Sequence, residues 1–150
     1  MGPCKMRLIS HRGNTNGAIP EMENNPVHIH SAISSGFDVE LDVYFHKQKW
    51  YLGHDEPKYL INIKDYVQKK YWLHCKNSEA FEKLYNNFPD ANCFWHENDK
   101  YTITSHGYIW CFPGVQNIKN SIVLFPKEKS DIIKAFGICA DDFTEIRKWI

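Results

Sequence analysis

The sequence lacks an excess of charge of either sign. Lys plus Arg and Asp plus Glu each number 18, so the formal net charge is zero. A protein that coats nucleic acid, or one that is anchored on an anionic membrane, needs an excess of basic residues, so this balance argues against both classes. The chain also has no apolar run near the roughly 18 residues that a membrane span requires. We therefore expect neither a nucleic-acid partner nor a membrane span.

Paired cysteine motifs are also absent. The five cysteines are Cys4, Cys75, Cys93, Cys111 and Cys139. An odd number without CxxC spacing argues against a disulfide framework, and it leaves a structural zinc site only as a remote alternative. Three of the five lie in apolar runs and Cys75 directly follows one, which favours reduced, buried thiols. Because residues 1–7 are too short and polar for a signal peptide, a cytoplasmic location is predicted.

Eight short apolar runs are typical of buried β-strands. They cover residues 7–10, 37–45, 50–53, 71–74, 92–96, 107–112, 121–125 and 137–140. Helical spacing appears at 26–35, 61–69 and 78–88, with Ser78 as the expected N-cap. Strands that alternate with helices indicate a parallel sheet. Because full barrels have about 250 residues, we predict one domain (1–150), an α/β minimal (β/α)8 TIM-like barrel with several outer helices shortened or missing.

Polar side chains fall near the carboxyl ends of these runs, where active sites of parallel α/β folds lie. Glu40 and Asp42 are two residues apart on a strand, so both point to one face. Two such carboxylates repel unless a cation lies between them, and Mg²⁺ or Ca²⁺ prefers oxygen ligands. The alternative is an exposed acidic face of an edge strand.

Two histidines and two cations complete the candidate site. His11 and His54 follow the first and third runs, and imidazoles suit the base and the acid that phosphodiester cleavage needs. Arg12 and Lys76 are candidates for binding phosphate charge. The competing interpretation is that these histidines are exposed or have ordinary hydrogen-bond partners, and that Arg12 and Lys76 are solvated surface charges.

These motifs together resemble those of the glycerophosphodiester phosphodiesterase family. Residues 8–13 (LISHRG) are similar to its HRG signature, and Glu23-Asn24 resembles its EN element. Residues 36–43 resemble its acidic strand, and residues 53–55 (GHD) resemble its HD element. The four elements keep the family's order and similar spacing over about a third of the chain.

The resemblance implies a metal-dependent phosphoric diester hydrolase that acts on glycerophosphodiesters or related lipid-derived diesters. It implies an acid–base pair, His11 and His54, and metal ligation by Glu40 and Asp42. His74 stands where the family usually has a third carboxylate ligand. The two carboxylates favour Mg²⁺ or Ca²⁺. His74 leaves Mn²⁺ or Zn²⁺ as alternatives, because imidazole suits transition metals better.

The resemblance also assigns substrate contacts and leaves alternatives open. Lys76 matches the family's lysine, and Trp110 is similar to its sixth-strand tryptophan, which implies substrate binding. A lyase resembling sphingomyelinase D would use similar residues and stop at a cyclic phosphate. A non-catalytic binding module on the same barrel is a further alternative. The missing helices would leave flanks uncovered, so a homodimer is predicted.

Overall fold

A computed structural model describes residues 5–150, so Cys4, predicted to be a reduced thiol, lies outside the described part. The strands are β1 (Arg7–His11), β2 (Asp38–His46), β3 (Lys49–Leu52), β4 (Tyr59–Ile61), β5 (Tyr71–Cys75), β6 (Asn92–Phe94), β7 (Tyr101–Ile103), β8 (Ile109–Cys111), β9 (Ser121–Leu124) and β10 (Gly137–Ala140). The α-helices are α1 (Pro26–Ser34) and α2 (Ser78–Asn87). Short 3-10 segments cover Pro20–Met22, Ile63–Tyr66, Lys129–Ile132 and Ile146–Lys148.

The strands form one curled, mixed sheet. Parallel pairing runs in the order β6, β5, β2, β1, β10, β9, β8, while β3, β4 and β7 are antiparallel to their neighbours. Within residues 5–150, β6 pairs only with β5, so the sheet is a half-barrel. The predicted (β/α)8 TIM-like barrel is therefore wrong, because the described chain has two α-helices and three antiparallel strands rather than regular alternation.

The prediction of a parallel barrel first fails at the third apolar run, residues 50–53. Lys47 and Gln48 both have positive φ, 48° and 64°, and they form the tight turn of a hairpin. Such two-residue turns match the twist of paired antiparallel strands. Accordingly β3 folds back on β2, with Val43 opposite Leu52, and β4 pairs with β3. The third run therefore extends an antiparallel flap instead of forming the next parallel strand.

The helices are close to their predicted bounds, with two corrections. Asn77 rather than Ser78 caps α2, because its side-chain oxygen accepts a hydrogen bond from the Ala80 amide. The helix expected at 61–69 is only the 3-10 segment Ile63–Tyr66. Asn25 caps α1 through the Val27 amide, and Pro26 follows at the first helical position.

Alternation along the strands separates two apolar layers. The outer layer includes Val39, Leu41 and Val43 of β2, which pack with buried residues of α1 and α2. The inner cluster consists of Ile9, Trp72, Phe94, Trp110, Ile122 and Cys139. The rings of Trp72 on β5 and Trp110 on β8 are 5.9 Å apart although their strands are far apart in the sheet order. The sheet must therefore curl around this inner cluster.

Two further expectations concern thiols and membranes. Cys75, Cys93, Cys111 and Cys139 are free and buried, as predicted. Between residues 5 and 150, neither helix has the length and apolarity needed to cross a bilayer. The homodimer and the absence of a nucleic-acid partner stay predictions.

We expect Asn77→Ala to lower the free energy of unfolding by about 1–3 kcal/mol, because a cap and partly buried hydrogen bonds are lost together. The Asn77 side chain caps α2 and also bonds the amide and carbonyl of Phe45 at 3.2 and 2.7 Å. Urea denaturation measures the change. The control is Asn86→Ala on the same helix, where an exposed side-chain bond is removed. Equal destabilisation by both variants would contradict this role for Asn77.

Candidate active site

Two buried carboxylates in the first half of β2 face the inside of the half-barrel. Glu40 is 2% and Asp42 0% exposed. His74 lies beside Asp42 in the parallel register of β2 and β5. Its Nδ1 is 3.3 Å from Asp42 Oδ1 and 3.6 Å from Glu40 Oε1. The three side chains offer ligand atoms that all lie within 4.8 Å of one another, a spacing that one metal ion could bridge.

His11 approaches the same carboxylates from β1. Its Nδ1 is 2.7 Å from Asp141 Oδ1, and its Nε2 is 3.8 Å from Glu40 Oε2. Asp141 also accepts a hydrogen bond from Asn14 Nδ2 at 2.8 Å. A carboxylate at Nδ1 fixes the imidazole orientation and directs Nε2 toward the interior of the site.

Arg12 and Asn24 close the other side of Asp42. Arg12 Nε is 2.9 Å from Asp42 Oδ2, and Nη1 donates to Glu23 Oε1 at 3.0 Å. The angle at Nε does not satisfy a hydrogen bond, so the Arg12–Asp42 contact is an ion pair. Asn24 bonds both the amide and Oδ2 of Asp42 at 2.9 Å. This fork fixes the orientation of the Asp42 carboxylate.

The loop after β1 is held in an uncommon conformation. Arg12 and Asn24 have φ of 58° and 64°, and the Asn24 amide donates to the Arg12 carbonyl. Gly13 has φ 99°, and a Cβ there would lie 2.5 Å from a ring carbon of His28. Glycine is therefore required where this loop passes α1. Residues in sparsely populated backbone regions persist only where their surroundings hold them, and they cluster at functional sites.

Burial and charge oppose each other in this cluster. Burial lowers the pKa of His74, but the Asp42 and Glu40 carboxylates outweigh it and raise that pKa to about 9. Burial raises the pKa of Asp42, but His74 and Arg12 outweigh it and lower that pKa to about 2. For His11 the opposing causes are the same in kind, with Asp141 and Glu40 raising the pKa. The carboxylates therefore attract positive charge strongly.

Two carboxylate oxygens in the site have unused binding capacity. Among the described residues, Glu40 Oε2 and Asp42 Oδ1 are buried and have no hydrogen-bond partner. A buried, unpaired polar atom costs about 1–3 kcal/mol, and more when it is charged. Both residues belong to the group, Glu40, Asp42 and His74, whose ligand atoms meet the spacing of one cation. The donors, two carboxylates and one imidazole, fit Mg²⁺, Ca²⁺ or Mn²⁺, and they also fit Zn²⁺.

His54 lies at the rim rather than in the buried cluster. Its side chain is 43% exposed and its Nδ1 is 2.7 Å from Asp55. With Arg12, Glu23 and Asn24 it lines a recess of about 250 Å³. No hydrogen bond or ion pair joins it to Glu40 or Asp42 in the region 5–150.

Gly53 supports the His54 loop, because a Cβ there would lie 2.0 Å from the Glu56 carbonyl oxygen. A side chain larger than hydrogen would push this backbone apart. The loop that presents His54 to the recess therefore requires glycine at this position.

Lys76 and Trp110 were both predicted to bind substrate, but their surroundings differ. Lys76 is half-buried just past β5, two residues after His74, and its amide bonds the Val43 carbonyl. Trp110 is 2% exposed and lies beneath the site, 4.6 Å from the ring of Phe94. Phe94 in turn stacks on His74 at 4.9 Å. Trp110 therefore supports the floor of the site instead of contacting its open side.

No role in the site was predicted for Asp141, Asn14 or His28. His28 bonds Asn14 Oδ1 at 2.9 Å, and Asn14 also donates to Glu23 at 3.1 Å. Asp141 had a signal, since it directly follows the last apolar run. Asn14 and His28 had none, because their contacts depend on how the loop folds. Glu23 and Asn24 were visible only as the EN element.

Comparison of the chain with family models, curated proteins and solved structures gave no match. The resemblance to glycerophosphodiester phosphodiesterases therefore rests on the quoted motifs, and membership in that family stays a prediction.

The stability of the metal-free protein should fall as pH rises from about 6.5 to about 9. The pKa of His74 is about 9 in the folded protein, above the ordinary histidine pKa of 6.5, so its contribution is complete below pH 6.5 and is lost through pH 9. The loss is on the order of 3 kcal/mol or less. Urea unfolding in EDTA at several pH values measures it.

His74→Gln should remove most of this decline, whereas His30→Gln, at an exposed position of α1, should keep it. An unfolding free energy that stays constant or rises over this pH range in the unsubstituted protein would contradict the assigned ion pairs.

Proposed function

We propose that the protein is a metal-dependent phosphodiesterase. The observation that carries the proposal is a pair of buried oxygens that lack hydrogen-bond partners among the described residues, Glu40 Oε2 and Asp42 Oδ1, beside two imidazoles. Their arrangement supports a site that binds a divalent cation and places a proton-transfer group next to it. The HRG, EN and GHD motifs supply the surrounding residues His11, Arg12, Glu23, Asn24 and His54.

Glu40, Asp42 and His74 would hold the ion. Bound there, a divalent cation would act as a Lewis acid on a phosphate oxygen and take up its developing negative charge. Arg12 and Asn24 hold Asp42 in place. Arg12 Nε and Nη1 already contact carboxylates. We therefore propose that Arg12 mainly neutralises charge within the site and that phosphate binding is its secondary role.

His11 is the proposed base. Asp141 contacts its Nδ1, which leaves Nε2 directed into the site to take the proton of the attacking hydroxyl or water. The attacking oxygen forms a bond to phosphorus while the bond to the departing alcohol oxygen breaks. The alcohol oxygen then requires a proton, and His54 is the proposed donor because it faces the recess beside Arg12. Lys76, two residues after His74, is the proposed partner for phosphate charge.

The geometry is equally compatible with attack by the substrate's own hydroxyl and with attack by water. A lyase would stop at the cyclic phosphate, whereas a hydrolase would open it. Phosphorus NMR of the products from a glycerophosphodiester separates the two, because the cyclic and the open phosphates have distinct shifts.

We expect Glu40→Gln and Asp42→Asn each to weaken metal binding by at least about tenfold, since changes to groups behind the ligands alone cost 10- to 100-fold. Calorimetric titration with Mg²⁺ and Mn²⁺ measures the affinity. Asp38→Asn is the matched control, a buried carboxylate on the same strand and face that Trp72 Nε1 already bonds at 3.0 Å. Unchanged affinity in both ligand variants would contradict the assignment.

His11→Ala and His54→Ala should each lower kcat for bis(p-nitrophenyl) phosphate by roughly 10²- to 10⁴-fold, the usual contribution of general acid–base groups. His106→Ala, an exposed histidine bonded to the Pro89 carbonyl, is the control and should leave kcat unchanged. Absence of cleavage with Mg²⁺, Ca²⁺, Mn²⁺ and Zn²⁺ would instead favour the non-catalytic binding module.

A further inference from the structure

Phe125 is a bulky residue in a strained position at the edge of the site. It directly follows β9, has φ 49°, and its amide donates to the Cys139 carbonyl at 2.9 Å. A bulky side chain at positive φ is uncommon and carries a cost that the surroundings must offset. Despite this strain, the ring is not used to fill the inner cluster, because Phe125 remains 37% exposed.

The exposed ring touches the proposed base. The Phe125 and His11 rings meet edge to face, with centroids 5.0 Å apart. His11 is therefore held at Nδ1 by Asp141 and along its ring by Phe125. Both of these partners also line a second cavity, which therefore adjoins the site at His11.

This cavity lies between the ends of β9 and β10 and the 3-10 segment Ile146–Lys148, and its volume is about 480 Å³. Its apolar walls are Phe125, Pro126, Ala140, Ile146 and Trp149. Charged side chains, including Lys127 and Glu145, lie at its exposed edge. Ligand cavities of a few hundred Å³ with apolar walls and a few polar groups are typical of small-molecule sites.

We propose that this cavity binds the apolar alcohol group of the phosphodiester substrate and that Phe125 is a specificity-determining residue. The inference rests on the proposed function, because the phosphate must lie near Glu40, Asp42 and His11 for the alcohol to reach past Phe125. An alkyl chain there would contact Phe125 and Trp149, while its phosphate stayed at the cation site. The cavity thus selects diesters of apolar alcohols over diesters of small polar ones.

Binding of hexyl phosphate and of methyl phosphate, measured calorimetrically in the presence of Mg²⁺, tests the proposal. Each buried methylene is worth roughly threefold in affinity, so hexyl phosphate should bind at least about tenfold tighter than methyl phosphate. Phe125→Ala should remove most of this gain. Thr144→Trp, at an exposed position on the cavity wall, should remove it by filling the space without disturbing the core.

The matched control is Phe112→Ala. Phe112 has nearly the same exposure, 38%, and follows the neighbouring strand β8, but it lies outside the cavity lining. The gain for hexyl phosphate should persist in this variant. Equal affinities for the two monoesters in the unsubstituted protein, or equal loss of the gain in all three variants, would overturn the proposal.

A wrong function proposal would give a different result. The protein would then show no metal-dependent cleavage of bis(p-nitrophenyl) phosphate, whichever of the two monoesters it binds more tightly. If the protein cleaves that diester but shows no chain-length gain, the cavity proposal fails and the proposed function stands.

Discussion

The burial of two like charges on one strand is the constraint on which the site depends. Glu40 and Asp42 point into the half-barrel and are almost fully shielded from water. Their charges require compensation, since an uncompensated buried carboxylate costs several kcal/mol. His74 and Arg12 supply part of it in the described structure. Among the described residues, Glu40 Oε2 and Asp42 Oδ1 still lack hydrogen-bond partners, which is why we propose a divalent cation there.

The rest of the fold holds this pair in place. The β1 loop places Arg12 and Asn24 against Asp42, and β10 ends in Asp141, which orients His11. Beneath the site, Phe94 stacks on His74 and packs on Trp110. A curled sheet brings strands that are distant in its order around one inner cluster. A complete ring of eight parallel strands with covering helices is not needed for this convergence.

Much of the site could be predicted from the sequence, but less of the fold. Alternation along residues 38–46 correctly places Glu40 and Asp42 together, opposite Val39, Leu41 and Val43. The direction of the third run had a signal, because only residues 46–49 separate it from the second run and a parallel crossover needs a dozen or more residues. The turn itself had none, because Lys47 and Gln48 are not the glycine or asparagine typical of such turns. The strands β4 and β7 were missed because each has only three residues and is partly exposed. Contacts of Asn14 and His28 depend on loop packing that no periodic pattern encodes.

The central claim is that Glu40, Asp42 and His74 form a divalent-cation site. Anomalous diffraction from a crystal soaked with Mn²⁺ tests it most directly, because manganese scatters anomalously and its position does not depend on turnover. The account predicts one strong peak within ligand distance of Glu40 Oε2, Asp42 Oδ1 and a His74 ring nitrogen. Anomalous peaks at carboxylates elsewhere, with none beside these three side chains, would contradict the claim.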